Sequence, residues 1–224
     1  MPSQKAQSTI NMPSPGKSFS ITMERIHWKT DITLVHNILS PEECDHLIKL
    51  AEPNLARSGT FTSATDYRRT SSSYFLSSHQ NDPVVKELIY RCSVVSNYPM
   101  SHVEIPQIVR YFPGEQFMNH IDNFPKDGDQ YKWNGQRDYT FFIYLNEPDP
   151  EDPTQTGGET SFDAQKFKIK PKQGTAALWT NVDIVTGDDL EYDKICHSGL
   201  ATANWTKYGM NVWIRHKPWG NYEY

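Results

Sequence analysis

The sequence predicts an α+β domain in which two N-terminal helices precede a sandwich or barrel of short strands. Three observations carry this. Two stretches in the first half open with helix caps and continue at helical spacing; from about Ile105 the pattern changes to short apolar runs broken by Gly, Pro, Asn and Asp; and one such run, Tyr139–Leu145, is apolar or aromatic on both faces. At 224 residues the chain suits one large domain rather than two. Its 37% hydrophobic and 22% charged residues suit a globular protein with a packed core.

Met1 to about Ser20 is rich in Ser, Pro, Gln and Lys and lacks the apolar core of a secretory signal. A flexible arm over 1–25 and a single domain over 26–224 are expected. Glu24–Leu39 alternates through Ile26, Trp28, Ile32 and Leu34, as an extended entry would. The first helix opens with Ser40 as N-cap, Pro41 at the first helical position and Glu43 completing a capping box. Cys44, Leu47, Ile48 and Ala51 form its stripe and Pro53 stops it. A second helix starts at Asp82-Pro83, with Val84, Val85, Leu88, Ile89, Cys92 and Val95 as its apolar positions. The polar stretch Tyr67–Ser73 between the helices reads as a mobile loop.

Strands are expected at Ile105–Phe112, Tyr139–Leu145, Phe167–Ile169, Thr175–Thr180 and Asn211–His216. Tyr139–Leu145 belongs at the centre of a sheet, because only a strand covered on both sides has no polar face. The polar loops Asn123–Gln136 and Asn146–Gly158 are long enough to suggest function.

A formal charge of −5 argues against a nucleic-acid-coating role, since phosphate binding calls for a basic excess. No apolar stretch approaches membrane-spanning length, so neither a membrane nor a nucleic acid is an expected partner. A cytoplasmic location is the default, a monomer is expected, and Cys44, Cys92 and Cys196 read as reduced core thiols.

Of the eight histidines, His120 is distinguished by the sequence His120-Ile121-Asp122. On an extended chain residues i and i+2 point to the same side, so both side chains can reach one point. Alone this pair occurs by chance, and a third ligand is needed. His197 is the candidate. Two imidazoles and one carboxylate form the facial triad of non-haem Fe(II) oxygenases, leaving positions for a 2-oxo acid and dioxygen. A 2-oxoglutarate cosubstrate also needs a cation for its remote carboxylate. Lys207 follows His197 closely, and a hairpin between them would place the two on neighbouring strands; otherwise Lys207 is an ordinary surface lysine.

Several ordered motifs are more specific. Tyr111-Phe112-Pro113-Gly114 leading to His120-Ile121-Asp122, Arg137 through Tyr144-Leu145, Gly157-Gly158-Glu159-Thr160, Lys170-Pro171-Lys172-Gln173-Gly174, Cys196-His197-Ser198-Gly199, Lys207 and Val212-Trp213-Ile214-Arg215 together resemble the catalytic domain of prolyl 4-hydroxylases. Arg69-Thr70-Ser71 fits as well. The resemblance covers about residues 35–219 and implies a double-stranded β-helix (jelly-roll) core buttressed by the N-terminal helices.

The resemblance also implies roles. His120, Asp122 and His197 would bind Fe(II), and Lys207, Tyr111 and Thr160 the 2-oxoglutarate. Trp213, Arg137 and Arg69 would meet a proline-containing peptide or protein. The implied reaction is hydroxylation of peptidyl proline at C4 with O2, coupled to decarboxylation of 2-oxoglutarate to succinate and CO2, with ascorbate supporting turnover. Ser73 departs from the family in standing where Gly is common, and Pro148–Thr156 lengthens the turn before Gly157. The remaining readings are a 2-oxoglutarate oxygenase acting on another peptide side chain or a free amino acid, a zinc hydrolase, and a non-catalytic jelly-roll binding module. The acidic residues Asp183, Asp188, Asp189, Glu191 and Asp193 read first as a solvated acidic loop; the alternative is that they border the cleft and draw in basic, proline-rich peptides.

Overall fold

The computed structural model describes residues 6–14, 17–27, 31–59 and 67–219. Strands β1 (Gln7–Ser14), β2 (Lys17–His27) and β3 (Ile32–His36) come first, followed by helix α1 (Pro41–Ala51), the short strands β4 (Ala56–Arg57) and β5 (Ser72–Phe75), and helix α2 (Pro83–Ser96). Next come β6 (Gln107–Tyr111), β7 (Phe117–His120), α3 (Asp129–Asn134), β8 (Arg137–Tyr144), β9 (Thr156–Gly157), β10 (Thr160–Phe162), β11 (Phe167–Ile169) and β12 (Ala176–Thr180). The chain continues through α4 (Tyr192–Ile195), β13 (His197–Gly199), β14 (Thr202–Ala203) and β15 (Lys207–Arg215).

The larger sheet has the order β1-β2-β3-β12-β8-β15-β6-β5-β4, and a smaller one the order β11-β10-β13-β7. Strands β14 and β9 pair separately. All these pairings are antiparallel, as in a jelly roll.

Alternation along the central strands builds two apolar layers. From β8, Phe141 and Ile143 join Leu178, Met210, Val212 and Ile214 in the core under the helices. The intervening Phe142 and Tyr144 join Val109, Tyr111, Phe162, Ala177 and Trp179 in a second core. Strand β8 is therefore covered on both faces, as its uniformly apolar sequence requires.

The helices form where their caps predict. The Ser40 hydroxyl accepts from the Glu43 N–H at 3.2 Å, and the Glu43 carboxylate accepts from the Ser40 N–H at 2.8 Å. Glu43 also receives Arg91 of α2 at 2.7 and 2.9 Å, so one capping residue clamps the two helices together. The Asp82 carboxylate accepts from the N–H groups of Val84 and Val85, and α2 ends at Asn97 in the left-handed region, φ 57°.

Four expectations need correction. Residues 1–25 are not a free arm over their described part: β1 pairs along its whole length with Lys17–Glu24 of β2, and β2 pairs in turn with β3 to extend the larger sheet, so the boundary expected at residue 26 falls inside β2. Composition alone suggested disorder. The alternation of Ile10 with Met12, and of Phe19 with Ile21 and Met23, gives the hairpin an apolar face that packs on the helical core. Trp28 lies outside the described residues. The polar stretch at Tyr67–Ser73 is not wholly loop either, because β5 begins at Ser72. The loops Asn123–Gln136 and Asn146–Gly158 contain α3 and β9. Finally, the segment from His197 to Lys207 makes no hairpin between them: β13 pairs with β10 and β7, whereas β15 pairs with β6 and β8.

Candidate active site

Strands β7 and β13 are neighbours in the smaller sheet, with His120 directly opposite His197. Their ring centroids are 4.3 Å apart. Asp122 lies just past the end of β7. Its Oδ1 is 4.0 Å from His120 Nε2 and its Oδ2 is 3.8 Å from His197 Nε2. The ligand atoms of the three residues all lie within 4.8 Å of one another.

Backbone carbonyls choose the tautomers. His120 Nδ1 is 2.8 Å from the Met118 carbonyl and His197 Nδ1 is 2.9 Å from the Ile195 carbonyl. A carbonyl only accepts, so both Nδ1 atoms carry the proton and both Nε2 atoms present a lone pair beside Asp122. Burial, and then the neighbouring His197, hold the His120 imidazole toward its neutral form. Burial would raise the Asp122 carboxyl, but the positive charge of the two imidazoles in their protonated forms, then Arg137 and a hydrogen bond from Thr140, outweigh it and keep the pKa low. Two neutral imidazoles and one carboxylate form the donor set that Fe(II) takes in a facial triad, so the residues fit this metal.

A chain of hydrogen bonds fixes the carboxylate. The Thr140 hydroxyl donates to Asp122 Oδ2 at 2.7 Å and accepts from Asn181 Nδ2 at 2.9 Å, while Asn181 Oδ1 accepts from Trp179 Nε1 at 3.1 Å. Trp179 also packs edge-on to His197, centroids 4.6 Å apart. Asp189 accepts from Asn123 Nδ2 at 2.8 Å and Gln136 Nε2 at 2.9 Å, tethering the loop that follows Asp122.

Lys207 sits in the larger sheet opposite Tyr111. It is 1% exposed, and its ammonium lies 4.8 Å from the Phe142 ring centroid, 5.4 Å from that of Tyr111 and 5.5 Å from that of Tyr144. Burial pushes its pKa down to about 7. A lysine in an aromatic box is a site waiting for an anion. Thr160 stands nearby on β10, and its Oγ1 accepts from the Tyr144 hydroxyl at 2.7 Å, leaving its own proton free to donate.

Gly209 makes this box possible: a Cβ there would lie 2.4 Å from Phe142 Cζ. Gly209→Ala is expected to push the Phe142 ring off Lys207, raising the KM for 2-oxoglutarate several-fold and costing roughly 1–3 kcal/mol of stability. Steady-state succinate release and denaturant melts measure the two effects.

Tyr111, Phe142 and Thr160 of the box line one cleft together with His120, Asp122, His197, Arg69, Arg137 and Trp213. The cleft volume is about 590 Å³. Arg137 pairs bidentately with Glu104 at 2.8 Å for both bonds, and its guanidinium carbon lies 3.5 Å from the Trp213 ring centroid. Arg69 is buried, bonded to Ser71 at 3.1 Å and Gln107 at 3.4 Å, rather than standing out on a lid. Ser73, the departure from the usual Gly, accepts from Gln107 Nε2 at 3.2 Å.

Sequence reasoning missed Phe117, Thr140, Phe142, Tyr144 and Asn181. The alternation of β8 carried a signal for three of them, because Thr140, Phe142 and Tyr144 share the face opposite Phe141 and Ile143. No local signal points to Phe117 or Asn181.

A profile described as the 2OG-Fe(II) oxygenase superfamily matches residues 106–215. The chain is 30% identical over 219 residues to "Probable prolyl 4-hydroxylase 10" of Arabidopsis thaliana, covering 86% of this chain and 71% of that protein. The structure is similar to the viral collagen prolyl hydroxylase of Paramecium Bursaria Chlorella virus-1 solved as its 2OG complex. That likeness has a TM-score of 0.63 and 29% identity, covering 82% of this chain and 95% of the viral one. A Pseudomonas putida prolyl-4-hydroxylase shares the fold, with a TM-score of 0.58 at 15% identity over 84% of this chain and 94% of that one. The triad, the lysine box and these relationships agree: the chain belongs to the prolyl 4-hydroxylase family of 2OG-Fe(II) oxygenases.

Proposed function

We propose that this protein hydroxylates proline at C4 in a peptide or protein, using O2 and converting 2-oxoglutarate to succinate and CO2. The observation that carries the reading is the pairing of a His-Asp-His triad with a buried lysine whose surrounding side chains line the same cleft. A zinc hydrolase has no use for that lysine, and a binding module has no use for a complete triad.

His120, Asp122 and His197 would hold Fe(II), which when bound supplies the dioxygen chemistry; ascorbate would keep it reduced. Lys207 pairs with the remote carboxylate of 2-oxoglutarate, and the free hydroxyl proton of Thr160 donates to that ligand. Tyr111 and Phe142 wall the lysine off from water, which strengthens the charge pair. Trp213 offers a flat face and a buried indole N–H that has no hydrogen-bond partner among the described residues. Both suit a prolyl ring and a peptide carbonyl. Arg137 is engaged by Glu104, so it acts on the peptide by holding Trp213. The exposed aromatic rings of Phe75 and Tyr192 line the same cleft and suit a chain running past the iron site more than a small free amino acid.

The test is mass spectrometry of a proline-rich peptide after incubation with the protein, Fe(II), 2-oxoglutarate, ascorbate and air. One oxygen gained on proline, and lost on omitting 2-oxoglutarate, is the expected result. Succinate without peptide oxidation would remove proline from the reading while keeping the oxygenase; neither product from iron-loaded protein would remove both.

A further inference from the structure

The two iron-ligand histidines are held differently. His197 is met edge-on by Trp179, whereas His120 lies almost parallel to the Phe117 ring, with centroids 3.5 Å apart and planes 15° from parallel. In a regular strand, Phe117 and His120 would point to opposite faces, because they are an odd number of residues apart. The pairing with β13 shows why they meet. Phe117 opposes Gly199 and His120 opposes His197, so β7 carries one residue more than β13 between the two pairs. Such a bulge re-aims side chains and brings both rings onto one face.

Phe117 is also tied to the Arg69 segment. Its backbone forms a bridge with Arg69, and the next residue, Met118, donates its N–H to the Arg68 carbonyl at 2.8 Å. The Arg69 guanidinium lies over the Phe117 ring, 4.9 Å from its centroid. Bonds to Ser71, Gln107 and the Gly59 carbonyl hold it there.

We propose that Phe117 is a positioning residue for the iron ligand His120, and that Arg69 acts on the metal centre through the Phe117 ring. A hydrogen bond at Nδ1 fixes one point of the imidazole but leaves the ring able to rotate about that bond. The Phe117 face removes this freedom, so Nε2 is presented ready for the metal and little ordering remains to be done on binding. Metal withdraws electrons from the imidazole, and an electron-rich phenyl face complements that ring. Arg69 holds the phenyl ring in place by cation–π contact. The inference rests on the iron-site reading but not on the identity of the organic substrate.

The test is Co(II) titration of the metal-free protein, followed by its visible absorption, with no peptide or 2-oxoglutarate present. Phe117→Leu is expected to weaken Co(II) binding about 10–100-fold and to shift the ligand-field bands. Phe117→Tyr, which keeps the ring, stays within about 3-fold of wild type. Arg69→Met weakens binding by a smaller factor and adds nothing to the effect of Phe117→Leu, as expected for residues acting in series. Melting of each metal-free variant reports folding separately. Should the leucine variant misfold, Arg69→Met binding Co(II) as tightly as wild type, or Phe117→Tyr losing more than about 10-fold, would overturn the proposal. Wild-type affinity and spectrum in Phe117→Leu, loss in Phe117→Tyr equal to that in the leucine variant, or full additivity with Arg69→Met would each overturn the proposal. A wild-type protein that takes up no Co(II) would overturn the iron site itself and this inference with it.

Discussion

Asp122→Asn is expected to weaken divalent metal binding by at least about 10²-fold and to reduce hydroxylation below about one part in 10³ of wild type. Asp122 is the anionic member of the triad, set between two imidazoles. An amide matches its shape but supplies no charge to offset that of the metal. The hydrogen bond from Thr140 to Oδ2 sharpens the contrast. An asparagine that keeps its oxygen toward Thr140 turns an NH2 group, which cannot ligate, toward the remaining partner. Thr140→Val removes only the orienting bond and leaves the carboxylate, so its effect on metal affinity should be about tenfold. Metal titration of both variants, together with succinate release, measures the pair. Wild-type turnover in Asp122→Asn would eliminate Asp122 as a ligand.

Lys207→Met should produce opposite changes in function and stability. It leaves the remote carboxylate of 2-oxoglutarate buried without a cation, which costs roughly 3–5 kcal/mol, or at least about 10²-fold in affinity. The ligand-free variant should nevertheless melt higher than wild type at pH 7. The pKa of Lys207 falls from 10.5 to about 7 in the fold because burial disfavours the ammonium. Between those values the unfolded chain binds more protons than the native one, so this residue makes stability rise with pH through that window, and its full penalty applies below about pH 7. Removing it should raise the melting temperature by roughly 5–10 °C at pH 7, with the advantage shrinking as pH approaches 10. Affinity of the wild type for 2-oxoglutarate should be flat below about pH 7. Above it, affinity should fall by about tenfold per unit, because binding then requires proton uptake. The methionine variant should show no such slope. Calorimetric titration and thermal melts across pH 6–10 check each point; a variant that binds 2-oxoglutarate as well as wild type would remove Lys207 from the site.

Local chemistry was legible wherever a few adjacent residues suffice. The capping box at Ser40 and Glu43, the N-cap at Asp82 and the two-sided apolar strand containing Phe141 are all properties of short windows, and all stand in the structure. The His120-Ile121-Asp122 spacing likewise carried its own geometry. The N-terminal hairpin was misjudged because its Ser, Thr, Pro and Gln content outweighed a period-2 apolar pattern that becomes decisive only against the helical core. The strands β7, β10 and β13 were missed for a related reason. They are three or four residues long, and their polar side chains face a cleft, so they show no apolar alternation.

The sequence by itself therefore determined the helices, the central strand and the His120-Ile121-Asp122 spacing, since each depends on residue type and near neighbours. Only the tertiary structure decided how they meet. His197 reaches His120 by pairing within the smaller sheet, and Lys207 reaches Tyr111 within the larger one, contrary to the simple hairpin their proximity in the chain suggests. The bulge that stacks Phe117 on His120, and the glycine that lets Phe142 cover Lys207, belong to the same class. The physical reason is that these contacts are cross-strand pairs between distant segments. Their register is set by which apolar faces the two sheets bury against each other, a property of the assembled cores that no short window of sequence contains.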